Sequence, residues 1–307
     1  MIDIIATVDS QEQAKMLLTA DVDTLYLGED FFGLRLPHSF KRSEVAEIVQ
    51  LAHAAGKKVT VAVNAIMHND RIAKVADYLD FLAALQVDQI TVGDPGVIYL
   101  LQQKKLNLPF IYDAEVLVTS ARQVNFWAKH GASGAVIARE VPHDELTEMV
   151  TELQIPGEIQ VYGATCIHQS GRPLLHNYFN FVKEHQDRAD RARGLFVSAP
   201  HKPETHYSIY EDFNGTHVFA NNDLNLITKL AELNDLGLTH WKLDGLFADH
   251  DQFVNIAQIF VAAKKAILAQ KWTPDLVEQL DGQVGANQPA NRGLDTGFYE
   301  IDPSEVQ

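Results

Sequence analysis

The chain has 307 residues, enough for one large core or two smaller ones. With 46% hydrophobic and 21% charged residues, and no window near the roughly 18 unbroken apolar residues of a membrane span, the composition is that of an ordinary soluble protein and excludes a spanning helix. The 25 Lys/Arg against 41 Asp/Glu give a net charge of −16, which repels phosphate backbones at long range, so any dealing with nucleic acid needs a local basic patch or a partner's.

Residues 2–8 (IDIIATV) read as a strand, followed by a helix over 10–21. A strand at 24–29 leads into a helix over 41–56, with apolar residues at helical spacing and Gly56 as its stop. A strand at 57–65 precedes an amphipathic helix over 71–86. After a strand at 89–94, Asp94-Pro95-Gly96 reads as a helix N-cap with proline in the first turn. Strands at 109–115, 134–140 and 158–166 continue the series, with helices at 120–130 and 143–154 between them. A strand at 239–246 and a helix at 250–270 end it.

Eight strands, nearly all followed by a helix and almost continuously apolar, point to an α/β fold: a closed (β/α)8 barrel of the TIM type rather than an open doubly wound sheet. No early G-x-G-x-x-G favours a dinucleotide fold. Residues 1–272 form the expected barrel, including a rim insertion at 167–238, far longer than a usual connection. Within it HYSIY and THVFA flank EDFNG, a hairpin turning at Asn214-Gly215, and a helix over 222–236 is capped by Asn222 and stopped by Gly237. The basic run DRADRARG at 187–194, diluted by its own acids, reads first as a solvated helix face. The tail, 273–307, is expected to pack on the barrel or to be partly mobile. The N-terminus shows neither the basic region nor the cleavage site of a signal peptide, and a single cysteine permits no internal disulfide; both lead us to expect a cytoplasmic protein.

Barrel active sites lie at the C-terminal strand ends, so the polar residues there are the candidates. They are Glu29 and Arg35 after the second strand, Asn64 after the third, Asp94 after the fourth, and Asp113 and Glu115 at the fifth. Arg139 and Glu140 end the sixth, Cys166 and His168 the seventh, and Asp244 the eighth. Cys166, His168, Glu115 and Glu140 are the candidates for catalysis. Arg35, Asn64, Asp94, Asp113, Arg139, Arg172 and Asp244 are the candidates for substrate binding, with no metal ligands assigned. Structural roles compete. Asp94 suits a helix cap, Glu140 with Arg139 and Asp244 with Lys242 suit rim ion pairs, and a lone cysteine suits a small buried hydrophobe. Cys166 and His168 are two apart and share a face on a regular strand, which also suits a thiol–imidazole pair.

The stretch EIQVYGATCIHQSGRPLLHNYF (158–179) resembles the signature of the collagenase-like peptidase family U32. YLGEDFFGLR (26–35), HAAGKKVTVAVNAIMHND (53–70), EDFNGTHVFANNDLNLI (211–227), WKLDG (241–245) and NRGLDTGFYE (291–300) extend the likeness across most of the chain. The resemblance implies either a peptidase or an oxygen-independent hydroxylation system acting on transfer RNA, ribosomal RNA or a quinone ring. The hydroxylating branches carry a four-cysteine iron–sulfur site, and the RNA-modifying ones are linked to prephenate as oxygen source. The first cluster cysteine corresponds to Cys166, the second falls on Pro173, a third near 196–200 where none stands, and the fourth on Asn225.

The chain is thus most similar to the short, cysteine-poor member of a pair that makes 5-hydroxyuridine at the tRNA wobble position. That likeness implies a hetero-complex with a longer U32 paralogue bearing the cluster, tRNA engaged through the complex, no cofactor bound by this chain alone, prephenate as a co-substrate, and no membrane contact. A homodimer is the form open to the isolated chain. Two alternatives stay open: a U32-type peptidase using Cys166 and His168 or a rim metal, and a non-catalytic ligand-binding or scaffold barrel.

Overall fold

A computed structural model describes residues 2–113, 118–183 and 188–306. Strands β1 (Asp3–Thr7), β2 (Thr24–Gly28), β3 (Lys58–Val63), β4 (Gln89–Val92), β5 (Phe110–Tyr112), β6 (Gly134–Val136), β7 (Gly157–Ser170) and β11 (His240–Leu243) run parallel, each beside the next. The ring closes because β11 pairs with both β7 and β1, Asp3 lying opposite His240 and Ala6 opposite Leu243. This is the expected (β/α)8 barrel.

Outside the ring lie α1 (Gln11–Thr19), α2 (Arg42–Ala54), α3 (Asn69–Ala84), α4 (Pro95–Lys104), α5 (Ala121–Lys129), α6 (His143–Val150) and α9 (His250–Leu268). Their start signals are local. Ser10 and Ser120 accept the backbone N–H of Gln13 and Gln123, and Asp94 accepts that of Gly96. The strands are buried on both faces, and Ile4, Leu25, Val61, Ile90 and Trp241 join one continuous core with the helices.

The insertion grows directly out of the ring. After pairing with β11 as far as Tyr162, β7 continues for eight more residues and pairs antiparallel with β10 (Gly215–Asn225). The sheet extends through β9 (Lys202–Asp212) to β8 (Phe196–Ala199). Helix α7 (Leu174–Val182), which periodicity did not reveal, packs on β9 and β10. Gly163 is the departure point. Its φ is +106°, and a Cβ there would lie 2.0 Å from the Asp244 carbonyl oxygen.

The hairpin forms one residue earlier than expected. Asp212 pairs with Gly215, leaving Phe213 and Asn214 as the loop. Arg71 clamps that tip by donating to the Asn214 Oδ1 and the Phe213 carbonyl. The helix expected over 222–236 is shorter. Residues 222–225 belong to β10, held between β7 and β12 (Gly293–Asp295), and only a 3-10 turn at Ile227–Lys229 and α8 (Leu230–Asp235) are helical. Pairing on both sides overrides the cap-like look of Asn222, whose side chain instead donates to Asp295.

The run at 187–194 contains no α-helix among its described residues. Arg188 pairs with Asp190, and Arg191 donates to the carbonyls of Leu36 and Pro37, fastening the insertion to the rim. Beyond Thr273 the chain forms α10 (Pro274–Ala286) and then β12. Among the described residues no helix is long and apolar enough to cross a membrane.

Candidate active site at the barrel mouth

Several candidates converge where the strands end. Asn64, buried beyond β3, accepts the Leu34 N–H at 3.0 Å and donates to the Asp113 carboxylate at 2.8 Å. Arg35 sits in the left-handed region at φ +52° and donates to the Gln169 side chain at 2.6 Å, tying the loop after β2 to the outer half of β7. Arg139 donates to Gln160 at 2.5 Å, and the Gln160 amide in turn donates to the Ala164 carbonyl. Each guanidinium thus has a neutral amide among its partners. Asp244 accepts the Leu246 N–H at 2.9 Å. Two residues earlier, buried Lys242 lies with its ammonium 3.8 Å from the centroid of the Tyr26 ring.

Other candidates lie apart. Both carboxylate oxygens of Asp94 are occupied by backbone N–H groups, those of Gly96 and Met67, which is the geometry of a cap. Glu140 is half-buried in the turn after β6 and makes no ion pair with Arg139. Arg172 is exposed beyond the end of β7. Glu115 lies outside the described residues.

Cys166 and His168 do not share an environment. Between the pairs Val218–His168 and Phe219–Cys166, β7 advances two residues while β10 advances one. The extra residue is Ile167, a bulge that breaks strict alternation. His168 is exposed, whereas Cys166 is 5% exposed and packs with Ala164, Tyr210, Phe219 and Leu246. The thiol donates to the His168 backbone carbonyl at 3.4 Å.

The imidazole associated with Cys166 is His217, fully buried, whose Nε2 bonds the Asp212 carboxylate at 2.8 Å. Its Nδ1 has no well-aligned hydrogen-bond partner among the described residues, because the thiol hydrogen is directed at the His168 carbonyl. Phe247 packs over this cluster and, with Tyr210, Phe196, His206 and Arg292, lines a cleft of about 530 Å³ between insertion and tail.

Sequence reasoning missed His217 and Asp212. They flank the predicted hairpin turn, but their approach to Cys166 depends on the register of β10 against β7, which no local signal encodes. Lys242 was visible two residues before Asp244, though only as a partner for it.

Burial acts most strongly on His217 and works to lower its pKa, but the bond and the charge of Asp212, aided by the nearby Cys166 sulfur, outweigh it and the net shift is upward. Arg35 opposes the rise at longer range. A histidine with a raised folded-state pKa contributes stability that is full below its unfolded value, near 6.5, and is lost as pH rises through the folded value. We therefore expect thermal stability to fall as pH rises above about 6.5. Thermal melts across this range should show the fall flattened in Asp212→Asn; an equal slope in both proteins would remove His217 as the cause.

A family model for peptidase family U32 matches residues 9–307. The chain belongs to peptidase family U32. This U32 chain is 33% identical over 306 residues to tRNA hydroxylation protein P2 of Bacillus subtilis (strain 168), covering 97% of each protein. It is 25% identical to tRNA hydroxylation protein P1 of the same organism, covering 98% of this chain and 71% of that one. Among solved structures the U32 peptidase Mk0906 superposes with a TM-score of 0.50 at 17% identity, over 80% of this chain and 92% of that one, a likeness of fold.

Proposed function

We propose that this U32 chain acts in hydroxylation of the tRNA wobble uridine, forming 5-hydroxyuridine, as a cluster-less subunit beside a longer, cysteine-complete U32 paralogue. The end-to-end similarity to tRNA hydroxylation protein P2 carries this reading. The occurrence of proteins P1 and P2 in one organism supports a paired arrangement.

Donor chemistry supports the division of labour. An iron–sulfur cluster requires about four protein ligands, usually thiolates. Here Cys166 is the sole thiol, Pro173 offers no donor side chain, and the Asn225 amide is engaged with Asp281 and the Ile227 N–H. The residues present do not fit the cluster.

In this reading the barrel mouth holds a small anionic co-substrate, with prephenate, a dicarboxylate, as the proposed compound. Arg35 and Arg139, each bonded to a neutral amide, are the guanidinium groups that would meet its carboxylates. Asn64 and Asp113 form a pre-set polar pair beside them.

Deleting the gene and measuring tRNA nucleosides by mass spectrometry tests the proposal. The expected result is loss of 5-hydroxyuridine and its derivatives, restored by the intact gene. An unchanged nucleoside profile in a strain lacking both this chain and its U32 paralogues would overturn it.

A further inference from the structure

The acidic character of the chain is not uniform. From residue 159 to 183 there is no Asp or Glu, in a chain that carries 41. This stretch comprises most of β7 and all of α7. Arg172 and Lys183 flank α7, both exposed, and neither side chain has an ion pair or hydrogen bond among the described residues. By contrast, the Arg188, Arg191 and Arg193 side chains are engaged in internal contacts.

Between the two free cations α7 turns large apolar side chains to solvent. Phe181 is 84% exposed and Tyr178 58%, while the aliphatic Leu174 and Val182 beside them are less exposed at 40% and 37%. The most exposed positions are planar rings. A folded chain rarely leaves such rings in water without a use for them.

We propose that the outer face of α7 is a contact surface for single-stranded RNA, with Tyr178 and Phe181 as stacking platforms and Arg172 and Lys183 meeting phosphates. Rings interleaved with cations are the recognition chemistry of unpaired nucleotides, whose bases present π-faces and whose backbone is anionic. The nine residues of α7 between these cations rise about 13 Å, enough for two nucleotides. The surface also follows directly on β7, whose inner half belongs to the ring and whose outer Gln169 is bonded by Arg35. The inference rests on the tRNA reading only for which RNA is bound. It bears on how so acidic a chain approaches a polyanion: α7 itself carries no acid, and the nearest carboxylate, that of Glu211, is turned inward to accept the Leu175 and His176 N–H groups at the start of the helix.

The test uses the purified full-length chain and a fluorescein-labelled 17-nucleotide RNA hairpin whose seven-nucleotide loop carries an unmodified uridine at the wobble position. Fluorescence anisotropy at low salt should show binding that weakens about tenfold in Phe181→Ala and in Tyr178→Ala, the loss of one stacked base. Arg172→Gln with Lys183→Gln should reduce the slope of log affinity against log salt by about 1.4, the single-strand value for two phosphate contacts. With 4-thiouridine in the loop, photo-cross-links should map to α7. All four positions are exposed, and circular dichroism verifies folding of each variant.

Absence of binding by the wild-type chain, or equal affinity and salt slope in all variants, would overturn the proposal. So would variants that lose association with a U32 paralogue while binding the hairpin unchanged, since α7 would then be a protein contact. Cross-links on α7 combined with an unchanged tRNA nucleoside profile in the deletion strain would uphold the surface and refute the wobble-uridine reading.

Discussion

Replacing Gly163 by alanine should prevent the chain from reaching its native state. The added methyl carbon would sit 2.0 Å from the Asp244 carbonyl oxygen, well inside contact distance; its position is set by the backbone, and the atom it meets is backbone. No side-chain rotation relieves the clash, and a φ of +106° is itself unfavourable for any residue with a Cβ. The carbonyl cannot retreat freely, because the Asp244 N–H is bonded to the Tyr162 carbonyl and its carboxylate to the Leu246 N–H. We expect a loss of at least 4 kcal/mol, in the range reserved for a few severe mechanisms, with the protein recovered mostly as aggregate. Soluble yield and urea unfolding of any soluble fraction are the measurements. A midpoint near wild type would mean that β7 leaves the ring by another route. Gly171→Ala serves as the control, since a Cβ there meets nothing within 4 Å.

A second large effect is expected at the joint between tail and insertion. Arg292, just ahead of β12, donates from Nε to Asp223 at 2.7 Å, from one terminal nitrogen to Ser208 and from the other to the Ala220 carbonyl. Its plane lies 4.7 Å from the Phe247 ring centroid. The pair is almost wholly buried, and Gln288 completes the shell around Asp223. Burial pushes the Asp223 carboxyl upward from its ordinary range, with Arg292 pulling the other way. Arg292→Leu removes the counter-charge and strands a buried carboxylate, at a cost of about 3–5 kcal/mol.

The pH dependence follows. With its folded-state pKa raised further, Asp223 takes up a proton on folding, so the loss should be greatest at neutral pH and shrink as pH falls toward 5. Urea midpoints of the variant at pH 7.5 and 5 test the sign. Asp223→Asn added to Arg292→Leu should recover part of the loss at pH 7.5. A double variant no more stable than the single one would argue that Arg292 acts through Ser208, Ala220 and Phe247 rather than through charge.

The ring was legible because its evidence is local. VTVAV and QITVGD are short, rich in β-branched residues and followed by helical periodicity, and such a repeat permits few folds. Strand-end residues could therefore be expected at one mouth, and of these Asn64 and Asp113 are bonded to each other. The insertion was legible only as a hairpin. Its pairing with β7 carries the bulge at Ile167, and one extra residue moves His168 to solvent while Cys166 stays buried beside His217. Nothing near Cys166 in the sequence encodes that shift, because it is set by residues about fifty positions later. Residues 222–225 misled for a related reason. Asn and Asp favour helix starts, and two neighbouring strands, one from the tail, hold them extended.

The closure of the ring through β1 and β11 has a consequence for biosynthesis. Ile4, Ile5 and Ala6 lie opposite Trp241, Lys242 and Leu243, which the ribosome adds more than 230 residues later. At elongation speeds of about 5–20 residues per second, the first strand waits on the order of ten to fifty seconds for its second neighbour. Throughout that interval a nascent chain displays an apolar edge open to chance pairing with other chains. Cellular yield should thus respond to translation speed and to chaperones that shelter the growing N-terminal half, even for variants whose finished form is as robust as the wild type.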